Sequence, residues 1–272
     1  MACNTLTRRL LMSVGLAFLA NGSASAQSGY PSRNLTIIVA VAPGSPTDVF
    51  ARLIAGELQT RLGKPVVVEN RPGGGQVIGA GAAARAEPDG HTLFHGNVSG
   101  LIISPQLREP PTYTTPKDFR AITATFSGPQ ALIVDPSLPI KDAKELIAYA
   151  KANPGKLNYG SYGIGSLNHV TTELFKGIAG IDMVHIPYGG GSTLTTAMLT
   201  GDVQVMILDL GNVGPLVDAG KARIIAQVGD RRSTQFPDIP LLSETVDPAL
   251  AADLWLGMVA PAATPPAVLS SR

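Results

Sequence analysis

A single cysteine, Cys3, stands in the 272 residues, ahead of the N-terminal apolar run and not at its end, where a lipid-modified cysteine would sit. Everything after it is without thiols, which excludes disulfide frameworks and thiolate metal sites. Charge is sparse as well: 15% of residues are charged and the net charge is +1, so neither a nucleic-acid groove nor a polybasic membrane patch is expected. The longest N-terminal apolar run, Leu10 to Ala20, falls short of the roughly 20 residues that cross a bilayer as a helix. Walker spacing is missing, because Gly63-Lys64 is followed by Pro65 and Gly155-Lys156 by Leu157, and no G-x-S-x-G elbow occurs. His91 and His95 are spaced for ligation on a helix, but "HTLFH" reads as a strand, where such positions lie roughly 13 Å apart. No metal, no cofactor and no nucleophile with its base are therefore expected.

What is present begins with a leader. Arg8 and Arg9, the apolar run, a polar break at Asn21 to Ser23 and Ala24-Ser25-Ala26 follow the order of a secretory signal over residues 1–26, cleaved before Gln27. General and twin-arginine export both fit, and either carries the chain across a membrane. Thirty glycines, 22 prolines and 5% aromatics accompany 44% apolar residues, a composition of many tight turns around a real core.

Apolar β-like runs alternate with helical patterns. Leu35 to Val41 reads as a strand buried on both faces, and Val49, Phe50, Leu53, Ile54, Leu58 and Leu62 recur at helical spacing up to Gly63. Strands at 65–69 and 92–95 flank a small-residue helix at 77–86, which makes a parallel α/β unit. After a Pro/Thr-rich stretch, 122–134 reads as one extended crossover, and a second alternation runs from Lys141 to Val228. The expected organisation is a two-lobed α/β chain, each lobe a mainly parallel sheet flanked by helices: 27–122 for lobe 1, 123–232 for lobe 2, and 233–272 for the return crossover and the remainder of lobe 1.

Two corners carry the chemistry. At Ala42 to Asp48, Gly44 permits an unusual backbone angle, Ser45 is a good N-cap, Pro46 suits the first helical position, and Thr47 and Asp48 present N–H groups. Such a helix start attracts anions; self-capping by Ser45 and Asp48 is the competing reading. "NYGSYGIGSLNHVTTELFK" holds the matching corner, with Gly160, Gly163, Gly165 and a cap at Ser166. Two helix N-termini at the carboxyl ends of parallel strands would face a shared cleft. For His169 an anion-assisting role and a cap role both stand; for Asp209 a cleft role and a turn-capping role do. His185 reads as a hydrogen-bonded core residue. Gly73, Gly75 and Gly79 give G-x-G-x-x-x-G, which admits a dinucleotide turn or tight helix–strand packing.

The ordered set "YPSRNLTIIVAVAPGSPTDVFARLIAGELQTRLGKPVVVENRPGGGQVIGA", "DGHTLF", "NYGSYGIGSLNHVTTELFK", "HIPYGGGSTLTTAMLTGDVQVM" and "AGKARIIAQVGDRRSTQFPDIPLLSE" resembles, from Tyr30 to about Val268, the Bug family of periplasmic solute-binding proteins, the receptors of tripartite tricarboxylate transporters. The resemblance implies a periplasmic-binding-protein (Venus-flytrap) fold, a periplasmic monomer without enzymatic activity, a small carboxylate ligand and a membrane transporter as transient partner. A solute sensor feeding a membrane signalling partner and an α/β dinucleotide enzyme are the alternatives. It places one pincer on Gly44, Ser45, Thr47 and Asp48, a second on Ser161, Gly163, Gly165, Ser166 and His169, and further ligand contacts on Gly190, Ser192 and Asp209. Tyr162 and Ile164 make the second pincer bulkier than is usual in the family. The resemblance also implies C-terminal helices beyond "PAATPPAVL", so lobe 1 is expected to be truncated.

Overall fold

The computed structural model describes residues 29–189 and 191–270; the leader expected over 1–26, Cys3 and Gly190 lie outside them. Two five-stranded sheets carry the described chain. The first holds β1 (Leu35–Val39), β2 (Val66–Asn70), β3 (Thr92–Asn97), β4 (Phe119–Gly128) and β10 (Leu254–Pro261), in the order β2-β1-β3-β10-β4. The second holds β5 (Gln130–Val134), β6 (Asn158–Ser161), β7 (Val184–Pro187), β8 (Val205–Asp209) and β9 (Arg223–Val228), in the order β7-β6-β8-β5-β9. In each sheet one interior strand, β10 or β5, runs against the others, which share a direction.

β1 shows why the sheets are covered on both faces. Ile37 and Val39 point into one core with Ala51 and Ala55, while Ile38 and Ala40 point into another with Val77, Ala80 and Phe94. The helices supplying those layers follow local signals. α1 (Pro46–Leu62) starts on Ser45, whose Oγ accepts from the Asp48 N–H, and stops at Gly63 with φ 64°. α2 (Val77–Ala84) lies so close to β1 that a Cβ on Gly79 would stand 2.7 Å from the Arg71 carbonyl oxygen and 2.8 Å from the Ala40 Cβ. Of the G-x-G-x-x-x-G glycines, Gly79 packs helix against strand, whereas Gly73 and Gly75, at φ 118° and 65°, turn the chain ahead of the helix. In the other lobe, α3 (Ala143–Ala152), α4 (Leu167–Ala179), α5 (Gly191–Leu199) and α6 (Leu210–Asp218) flank β5, β6, β8 and β9. No helix among the described residues is long and apolar enough to cross a membrane.

The junctions differ from the expected ones. The extended stretch expected over 122–134 divides at Pro129, which has no N–H for a ladder; the chain belongs to the first sheet through Gly128 and to the second from Gln130. The return, expected from 233, comes later. Leu242 and Leu250 are fully buried in the second lobe's core, so the chain stays there until Ala251 and enters the first sheet at Leu254.

Gly79→Ala tests the closeness of α2 and β1. Helix propensity alone would favour alanine by about 1 kcal/mol; the clash is expected to outweigh it and destabilise the protein by about 1–3 kcal/mol, read as a lowered urea midpoint. An unchanged or raised midpoint would show that the two elements separate easily.

Candidate functional site

β1 and β6 each run into a tight corner and a helix start, and both corners reach one cleft of about 300 Å³ between the lobes. At the first, the Asp48 carboxylate is only 2% exposed and turns inward, accepting from the Gly44 N–H at 2.8 Å, Asn70 Nδ2 at 2.8 Å and Arg52 Nε at 3.0 Å. Burial pushes this carboxyl up, but the Arg52, Gly44 and Asn70 hydrogen bonds outweigh it and hold it below its ordinary value. Ser45 takes the Asp48 N–H with its hydroxyl and the Val49 N–H with its carbonyl. Thr47, on the cleft wall, holds a remaining first-turn amide. Behind it His95 donates from Nδ1 to the Thr47 carbonyl at 3.1 Å and accepts at Nε2 from the Thr125 hydroxyl at 2.8 Å, while Asn97 Nδ2 donates to Thr47 Oγ1 at 3.4 Å. Burial lowers the His95 pKa, against the opposing Thr47 hydrogen bond.

The second corner has the same plan with different parts. Gly163 and Gly165 stand at φ 103° and 84°, left-handed values that favour glycine, and Ser161 Oγ accepts from the Gly163 N–H at 3.0 Å while lying 2.6 Å from His185 Nε2. Ser166 caps α4, accepting from the His169 N–H at 3.4 Å. Asn168, 1% exposed, accepts at Oδ1 from the Tyr162 N–H at 3.3 Å and the His169 N–H at 3.1 Å, while its Nδ2 has no partner among the described residues. The Leu167 N–H crosses between lobes to Ser99 Oγ at 3.0 Å. His169 Nδ1 accepts from the Gly165 N–H at 3.4 Å, and its ring lies 4.5 Å from that of His185, which stacks on Tyr159 at 4.8 Å. Burial lowers the pKa of both histidines; the Lys176 charge adds to the effect on each and Glu173 opposes it.

Of the residues expected at the site, Ser45, Thr47, Ser166 and Asp209 line the cleft, and Gly44 lines an adjoining pocket of about 750 Å³. Asp48, Ser161, Gly163, Gly165 and His169 stand behind the wall, in the hydrogen bonds that shape the two loops. Ser192 is exposed on α5, and Gly190 lies outside the described residues, between Gly189 and Gly191, which do line the cleft. Asp209 holds both roles open to it: it caps α6, accepting from the Asn212 N–H at 3.1 Å, and it faces the cleft. Tyr162 extends along the second lobe, its hydroxyl donating to Asp209 Oδ2 at 3.2 Å, with the phenol held protonated by burial and the Asp209 charge. Ile164 is 71% exposed. Of the two bulky residues, Tyr162 lines the cleft and Ile164 does not. Sequence reasoning missed Gln76, Asn97, Ser99, Gln130 and Asn168 on the wall. One signal was available: Gln130 opens the otherwise apolar run "QALIV".

The wall includes no lysine or arginine among the described residues, and no group of three or more His, Cys, Asp or Glu is placed there or elsewhere among them to hold a metal ion. The wall holds the starts of two helices whose first-turn amides are largely taken, by Ser45, Ser99 and Ser166, while the Thr47 N–H is left over, a setting that suits an anion.

Comparison with known proteins bears on what enters it. Residues 50–271 match the family described as tripartite tricarboxylate transporter family receptor. Protein BugT of Bordetella pertussis is 34% identical over 96% of this chain and 81% of its own length. The structure of periplasmic binding protein BugD aligns with a TM-score of 0.79 at 31% identity, over 88% of this chain and 80% of its own. That of R. palustris Rpa4515 with adipate aligns at 0.81 and 30% identity, over 89% of this chain and 81% of its own.

The histidines behind the corners predict acid sensitivity. Their folded pKa values lie below the ordinary value of about 6.5, so the unfolded chain binds protons first as pH falls. Stability is therefore full above about pH 7 and declines below about pH 6.5, ahead of the carboxylate range. Urea midpoints across this window should fall in the wild type and fall less steeply in His169→Gln; parallel slopes would remove His169 from the account.

Proposed function

Because the chain belongs to the tripartite tricarboxylate transporter receptor family, we propose that it is an exported periplasmic receptor, monomeric and without catalysis. It closes two lobes on a small organic carboxylate and delivers it to a membrane transporter. The observation that carries this is the convergence of Thr47 and Ser166, from two helix starts in two lobes, on one cation-free cleft. The adipate in Rpa4515 supports the same ligand class here.

Magnitudes require both lobes. Binding near 1 μM corresponds to about −8 kcal/mol, whereas one helix terminus contributes about 0.3–1 kcal/mol to a nearby charge and one charge-assisted hydrogen bond about 1.5–3 kcal/mol. Several such bonds, from both corners at once, are needed to offset the cost of association.

Isothermal titration of the purified protein with short carboxylates and with their neutral amides tests the reading. Carboxylates are expected to bind and the amides not to; equal heats from both would sink it. Thr47→Val, which keeps volume and removes the hydroxyl on the wall, should weaken binding about tenfold, and because it also leaves the buried Asn97 Nδ2 without its acceptor it should lower stability by about 1–3 kcal/mol, read separately from the urea midpoint.

A further inference from the structure

Resting on the carboxylate-receptor reading, we infer that the hinge end of the cleft, formed by Gln130 and Asp209, is a subsite for a hydrogen-bond-donating group at the far end of the ligand, an ammonium or a hydroxyl.

Gln130 opens β5 directly after the Pro129 crossing, and Asp209 ends β8 opposite it in the antiparallel register. Residues so paired present their side chains on one face, and both line the cleft. Gln130 is 2% exposed, yet its Oε1 has no partner among the described residues. A buried carbonyl left in that state carries a desolvation penalty, which a donor arriving with the ligand removes. Asp209 fixes the polarity of the place, since an ionised carboxylate only accepts. Its Oδ1 takes the Asn212 N–H, and its Oδ2 takes the Tyr162 hydroxyl and Asn212 Nδ2. A carboxylate has about four acceptor positions, which leaves Oδ1 room for one more donor. On the lobe 1 side of the same cleft, Gln76 repeats the pattern. It is the one non-glycine residue among those described with a left-handed backbone, φ 79°, and its buried Oε1 is also without a partner.

The alternative far group, a second carboxylate, meets the wrong field there. It would lie beside the Asp209 charge with no cation on the wall. Two arginines line the adjoining pocket: Arg232 is held by Glu244 at 2.7 Å, and Arg231 stands 3.9 Å from Asp230. A diacid reaching into that pocket would meet Arg231.

The test is calorimetric titration with γ-aminobutyrate, γ-hydroxybutyrate, butyrate and succinate, and with the sets one methylene shorter and longer. At the best-binding length, the amino or hydroxy acid is expected to bind at least about tenfold tighter than the unsubstituted acid and the diacid. Asp209→Asn, which can still cap α6, should reduce that preference. Gln130→Leu should erase most of it while raising the thermal midpoint of the unliganded protein, a pairing that damage to the fold would not produce. Butyrate or succinate binding as tightly as the donor-bearing acids overturns the inference and leaves the carboxylate receptor standing, and tight succinate binding lost in Arg231→Ala gives the far end to a second carboxylate. Binding by none of the acids rejects the receptor reading, and this inference with it.

Discussion

Each lobe completes its sheet with a strand delivered from the other, and the remaining architecture depends on that exchange. β5 is reached from β4 through Pro129 and is hydrogen-bonded on both sides, to β8 and β9; β10 is reached from β9 through the segment ending at Asp253 and lies between β3 and β4. An interior strand has ladder partners on both edges, so the second sheet is not completed without the first crossing, nor the first sheet without the second. The crossings also run side by side, Leu254 opposite Gly128 and the Ser127 hydroxyl 3.4 Å from Asp253 Oδ2. Two neighbouring extended links allow bending across their line and resist twisting about it. The carboxyl ends of β1 and β6, with the helix starts that follow them, are thereby kept toward one another, the usual position for a ligand in α/β folds.

The corners themselves are set from behind. A loop that offers amides to a ligand must have its other polar groups satisfied elsewhere, or it collapses onto its own donors. Asp48 does this for the first corner by taking Gly44 and Asn70, and His95 holds the Thr47 carbonyl. Ser161, His169 and Asn168 do it for the second. Asp48, Ser161 and His169 are therefore committed to shaping the loops, while Ser45, Thr47, Ser166 and Asp209 stay on the wall. What faces the cleft is quieter: the Thr47 backbone, the Asn168 amide nitrogen and the ends of two helix dipoles.

This division explains which features the sequence disclosed. Strand and helix alternation was legible because it rests on runs such as Leu35 to Val39 and on caps such as Ser45 and Ser166, all local. The corners were legible for the same reason. Whether Asp48 faces the cleft or turns away depends on Asn70 and Arg52, and Asn70 comes from another element; residue type cannot decide it. The return junction was misplaced because Leu242 and Leu250 anchor a polar, proline-bearing stretch to a core assembled from elements far away in the chain. Ser99 was invisible because its partner, the Leu167 N–H, belongs to the other lobe.

That contact bears on how closure and capture are linked. Ser99 Oγ satisfies one first-turn amide of α4 across the lobes, so if the lobes open as proposed, the closed arrangement would gain about 0.5–1.5 kcal/mol from this neutral hydrogen bond. A difference of that size gives a population ratio of roughly ten at most, too little to hold the cleft shut by itself. On the proposed reading, an anion that touches Thr47 in one lobe and Asn168 in the other would add terms available only in a closed form, and those terms would set the shift. The Ser99 bond then acts as a bias: it lowers the conformational cost charged against ligand affinity without preventing release.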